Sequence, residues 1–216
     1  MRRITRAAVT TIDSLEPRQL LSSASLTLHT AYIRLDPDDA DIVQVYESAT
    51  PTGTPEHTYT RSDLTSLVIR GTTGDDTLTI DYSHGTPLKD GVLAYNAGDG
   101  EDTLTLVGRS AIRATIAPTT ANSGDIKGYL QHFAYAGVES IEASDFSAVT
   151  LTTPSAADDI TLDRTSAGVA EISSSGSSPT FPAISIDAGI PKIVLDLATN
   201  DASSATVSLT CSRPTP

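Results

Sequence analysis

The sequence predicts an all-β protein, a right-handed parallel β-helix-like solenoid behind a short helical or disordered leader. Three observations lead there. Short runs alternate Thr or Ser with Leu, Ile or Val, the pattern of a strand with one buried face. Clusters of Gly, Pro, Asp and Ser separate those runs. One turn-and-strand unit recurs at a fixed offset, as it does in stacked repeats. A β-sandwich with two similar hairpins is the alternative.

Composition narrows the interior. Of 216 residues, 25 are Ser and 31 are Thr, only 5% are aromatic, and Trp is absent. Such a chain lacks the bulky side chains of a thick core, but its Leu, Ile and Val suffice for a narrow one. Three lysines in all remove one common helix former. The excess of 27 Asp and Glu over 14 Lys and Arg leaves a net charge of −13. That excludes the basic footprint which nucleic acid requires. No stretch approaches the roughly 20 apolar residues of a transmembrane segment. The single cysteine, Cys211, rules out an intrachain disulfide and reads as a thiol on a short tail, 211–216.

Taken in order, the expected strands of the body, residues 25–210, include residues 26–29, 42–46, 67–70, 77–82 and 103–107. Later runs are 148–152, 160–163, 184–187, 193–197 and 205–209. The stretch from Ser173 to Pro182, rich in Ser, reads as a flexible excursion between strands.

The leader, residues 1–24, is different material. Residues 1–18 hold four arginines against Asp13 and Glu16, a net of +2, whereas the other 198 residues carry −15. Its apolar stretch, Ala7 to Ile12, is too short and too polar for an ordinary secretory signal. The segment Leu15-Glu16-Pro17-Arg18, one variable residue, then Leu20-Leu21, resembles the N-terminal motif of the LEPR-XLL family of secreted or surface proteins of planctomycete bacteria. The resemblance covers about 20 residues with the basic lead-in. It implies an address, extracellular or at the cell surface, and no activity. A short capped helix starting at Asp13 or Ser14 is the purely structural reading of the same residues.

The internal copies are Gly71-Thr-Thr-Gly-Asp75-Asp76-Thr-Leu78-Thr79 and Ala97-Gly-Asp99-Gly-Glu101-Asp102-Thr-Leu104-Thr105, offset by 26 residues. On a stacked arrangement Leu78 would lie on Leu104, and Ile80 on Leu106. Weaker copies are expected at residues 157–162 and 187–195. The unit resembles degenerate haemolysin-type calcium-binding repeats, in which a Gly turn gathers carbonyls and a carboxylate completes an oxygen shell. On that resemblance Asp76 and Asp102, with Asp75 and Asp99, are the candidate calcium ligands. Adjacent nonapeptides normally share each ion, and here the copies are single. The plainer reading has Gly and Asp making the turn while the acids face water.

Nothing in the sequence spells a catalytic site. The four histidines, His29, His57, His84 and His132, have no metal-ligand spacing. Nucleophile elbow, P-loop and dinucleotide fingerprint are all missing. The acid pairs Asp38-Asp39, Asp75-Asp76 and Asp158-Asp159 could serve a polysaccharide-acting β-helix enzyme. No Arg–Lys pair accompanies them. The sequence therefore points to a non-enzymatic secreted or cell-surface repeat protein with a structural or adhesive role, meeting cell-surface or matrix components. The alternatives are that enzyme and a calcium-dependent binding module; no cofactor is required beyond possible Ca2+.

Overall fold

Alternation of small hydroxylated and branched aliphatic residues builds strands almost throughout. The computed structural model describes residues 22–88, 91–128, 131–154, 159–165, 167–175, 179–197 and 206–211. The leader motif from Leu15 to Leu21 lies outside the described residues, as do Asp158 and residues 212–216 of the expected tail. Among the described residues there are strands, turns and no helix. The protein is all-β, in two mixed sheets, neither of which closes on itself.

The strands are β1 (Ser22–Thr27), β2 (Thr30–Leu35), β3 (Ile42–Tyr46), β4 (His57–Thr60), β5 (Leu64–Arg70) and β6 (Thr77–Asp81). Next come β7 (Val92–Asn96), β8 (Thr103–Val107), β9 (Arg113–Thr120), β10 (Ser123–Gly128), β11 (Gln131–Ala136) and β12 (Ser140–Ser144). The last six are β13 (Ala148–Thr152), β14 (Asp159–Arg164), β15 (Ala170–Ser175), β16 (Ala183–Ile186), β17 (Ile193–Asp196) and β18 (Thr206–Cys211). The eight-stranded sheet runs β1-β5-β7-β11-β10-β9-β13-β17, and the ten-stranded sheet runs β18-β14-β15-β16-β12-β8-β6-β2-β3-β4. The chain therefore steps repeatedly from one sheet to the other.

Five strands of the larger sheet, β2, β6, β8, β12 and β16, pair in parallel and in register. Their inward residues form two apolar rows. One is Ala31, Leu78, Leu104, Ile141 and Ile184; the other is Ile33, Ile80, Leu106, Ala143 and Ile186. All ten are buried, and Leu78, Leu104, Ile80 and Leu106 have no exposure at all. In the smaller sheet, Leu67, Leu93 and Phe133 make one such row, and Ile69, Tyr95 and Tyr135 another. Inward residues of both sheets belong to one hydrophobic core. Period-two alternation along each strand decides which side chains enter it.

Several expectations need correction. Pairing is not uniformly parallel: β2-β3-β4, β9-β10-β11 and β14-β15-β16 are antiparallel inserts. These inserts change the spacing between neighbours in the parallel stack. It is 47 residues from His29 to Asp76, 26 from Asp76 to Asp102 and 37 from Asp102 to Glu139. Of the weaker copies, residues 159–162 and 187–195 do not continue that stack. β14 pairs with β15 and β18, while β17 pairs with β13 in the other sheet. Alternation fits either sheet equally well, so it could not choose between them. The Ser-rich stretch is partly strand, because Ser173–Ser175 belong to β15 and pair with β14. Strand structure starts at Ser22 rather than Ser25, and Cys211 ends β18 rather than opening a tail.

Candidate functional site: a buried carboxylate column

Four strands of the parallel stack, β2, β6, β8 and β12, are each preceded by one residue that occupies the same place in its turn. Those residues are His29, Asp76, Asp102 and Glu139, followed by Thr30, Thr77, Thr103 and Ser140. Backbone bonds tie the turns together: Thr77 N–H donates to His29 O, Thr103 N–H to Asp76 O, and Ser140 N–H to Asp102 O. The side chains add a second ladder. Asp76 N–H donates to Asp102 Oδ1 at 2.7 Å, and Asp102 N–H donates to Glu139 Oε2 at 2.8 Å. Asp102 and Glu139 thus each cap the backbone of the preceding turn.

Glycine makes the close approach possible. Gly98 has φ +112°, and a Cβ there would overlap the carbonyl oxygen of Thr72 in the neighbouring turn. At Gly71 a Cβ would overlap the Ala97 carbonyl oxygen. Neighbouring turns touch backbone to backbone, which only a residue without a side chain allows.

Asp76 is fully partnered. Its Oδ1 meets His29 Nδ1 at 2.7 Å and accepts from Thr72 Oγ1 at 3.1 Å, while its Oδ2 accepts from the Thr72 N–H. Asp102 is not. Its Oδ2 is buried without a hydrogen-bond partner, and so is the hydroxyl of Tyr95, an inward residue of the other sheet. The Asp102 carboxyl is held above its ordinary range. Burial is the main cause, the Asp76 N–H bond opposes it, and the charges of Asp76, Glu139 and Asp75 add to it. The Tyr95 phenol is likewise pushed up, by burial first and then by Asp102, Asp76 and Glu139.

The structure brings Asp76 and Asp102 together and leaves Asp75 and Asp99 on the surface. Asp75 Oδ1 accepts from Glu101 N–H at 3.0 Å. The reading in which the turn acids face water fails for two of them: Asp76 is 1% exposed and Asp102 0%. A calcium shell needs six or more converging oxygens. Three of the four carboxylate oxygens of Asp76 and Asp102 already accept hydrogen bonds from this chain. Among the described residues, no three of His, Cys, Asp or Glu are gathered as a metal-holding group. As placed, these residues do not fit the ion that the resemblance implies.

Glu139 escaped the sequence reading because an insert sets it 37 residues from Asp102 and no Gly-Asp pair precedes it. The signal was present as acid, hydroxyl, aliphatic: Asp76-Thr77-Leu78, Asp102-Thr103-Leu104 and Glu139-Ser140-Ile141. Three of the four histidines, His29, His57 and His132, lie near acids. His132 Nε2 lies 2.6 Å from Asp125 Oδ1, and His57 Nε2 lies 3.4 Å from Glu47 Oε1. No family model, curated protein or solved structure matches this chain. Among the described residues no helix is long and apolar enough to cross a membrane.

Proposed function

We propose that this chain is a non-enzymatic, secreted or cell-surface β-solenoid with a structural or adhesive role toward cell-surface or matrix components. The observation that carries the reading is the in-register parallel stack of β2, β6, β8, β12 and β16, bolted turn to turn by Asp102 and Glu139. In a stack of this kind each layer buries its apolar edge only against its neighbours, and stability accumulates along one dimension. The most buried acids serve the backbone, so the chemistry of the column is cohesive. The three antiparallel inserts are excursions from such a stack. The address rests on the LEPR-XLL resemblance of residues 15–21.

Deleting residues 1–21 tests the address and spares β1, which starts at Ser22. In the native host the full chain is expected in the surface or extracellular fraction and the shortened chain inside the cell. Circular dichroism of the shortened chain should keep its β signature. Equal export of both forms would remove the address from this motif, and loss of the fold would make residues 1–21 a structural cap.

A further inference from the structure

We propose that the turns at the other end of the stacked strands form a binding groove for a linear, uncharged polysaccharide. A depression of about 550 Å3 lies there, bordered by Ser83, Gly108, Arg109, Ser110, Asp145 and Ser147, with Phe146 in its floor. Ser83 follows β6, Gly108–Ser110 follow β8, and Asp145–Ser147 follow β12. Gly189 and Pro191, which follow β16, close its far side. The groove therefore crosses four neighbouring strands. At about 4.8 Å per strand this makes it roughly 14 Å long, several sugar units and not one. A further depression, of about 270 Å3, shares Pro191 with it, and one of about 300 Å3 shares Asp187 with that second depression.

The chemistry of the lining selects the ligand. Arg109 and Asp145 are both exposed, and neither side chain has a hydrogen bond or ion pair among the described residues. They offer one fork of donors and one charged acceptor, with the Ser110 hydroxyl next to Arg109 in the chain, and they cancel in charge. A chain of hydroxyl groups both donates and accepts, and so can use both. A polyanion would meet the net charge of −13 carried by the whole chain. An extended peptide would need an unpaired strand edge. β8 is bonded on both sides, to β6 and β12, and β12 to β8 and β16. Asp145 also has φ 61°, the only described non-glycine residue at positive φ. That turn swings its carboxylate to the rim beside the groove, while the Phe146 ring packs beneath against Gly108, where a Cβ would lie 2.6 Å from it.

This deepens the adhesive reading and rests on it for its biological setting, but binding by the purified full chain is measured independently of where the protein resides. Native gels containing dextran, mixed-linkage β-glucan or alginate test it. Retardation is expected in at least one neutral gel and not in alginate. Ser110→Trp, which fills the groove from an exposed position, should abolish it. Asp145→Asn, which tolerates the same backbone, should weaken it about tenfold, the worth of one bond to a charged group. Thr58→Trp, on the exposed face of β4 and away from the groove, should bind as the wild type does. Absence of retardation in both neutral gels, retardation by alginate alone, or unchanged binding by a correctly folded Ser110→Trp chain would overturn the proposal.

Discussion

Asp76 and Asp102 hold the same position in two turns that are 26 residues apart, and each precedes a Thr-Leu-Thr strand. Their surroundings differ in one respect. Asp76 stands next to His29 and the Thr72 hydroxyl, which occupy the oxygens that its backbone partners leave over. Asp102 stands between two other acids, and one of its oxygens is buried with nothing to accept from. The same motif is thus a satisfied anchor at one level of the stack and a strained one at the next. Neighbours in the stack and the residue four places back in the turn, Thr72 before Asp76 and Gly98 before Asp102, together set the energy of each acid.

The apolar halves of the two units should show no such difference. Leu78→Ala and Leu104→Ala each remove a fully buried side chain from one row, and each should cost about 2–5 kcal/mol. Urea denaturation measures both. A loss at one position and none at the other would move the difference between the units from the acids into the core.

Substituting the acids should separate the two levels. Asp76→Asn replaces an accepting oxygen with an amide that Thr72 or His29 must face, at a cost of about 1–3 kcal/mol. Asp102→Asn can keep the bond to Asp76 N–H while removing a buried charge from beside two carboxylates. Its stability should change by less than about 1 kcal/mol, in the stabilising direction. Equal losses at both positions would erase the distinction. The pH dependence sharpens it. Because the folded state raises the Asp102 carboxyl above 3.8, it binds that proton more tightly than the unfolded chain does. The contribution of Asp102 to stability therefore rises as the pH falls through its folded value, and levels off below the ordinary one. Asp102→Asn lacks this term, so its advantage over the wild type should shrink on acidification. A gap that widens instead would mean that Asp102 is stabilised as a carboxylate.

Calcium should have the smallest effect. A ligand that binds only the folded state raises its melting temperature. With three of four carboxylate oxygens committed to this chain, melting in millimolar calcium and in chelator should coincide. A calcium-dependent rise that the double variant Asp76→Asn, Asp102→Asn abolishes would return both acids to the role of ligands.

The strand segments were legible wherever hydroxylated and aliphatic residues alternate. β3 and β13 follow the expected bounds, Ile42–Tyr46 and Ala148–Thr152. Legibility failed where the pattern thins. β10 has one branched aliphatic residue, Ile126, and β15 has one, Ile172. β9 contains Pro118, which a strand accepts here because β13 pairs only with Arg113–Ile116 and a register shift lies opposite at Ser123 and Gly124. These strands exist because neighbours supply the hydrogen bonds and the buried face that their own residues only hint at.

By itself, then, the sequence determined the β class, the inward rows of Leu and Ile, and the pairing of two acidic turns. Each follows from chemistry within a few residues: alternation, the missing side chain of glycine, and the period of a strand. Only the tertiary structure decided which sheet each strand enters, that Glu139 completes the column, and that Asp76 and Asp102 are buried. Those outcomes depend on contacts between residues 26 to 47 positions apart, across inserts of unequal length. A carboxylate beside a glycine turn looks the same in sequence whether water or a neighbouring backbone N–H receives it.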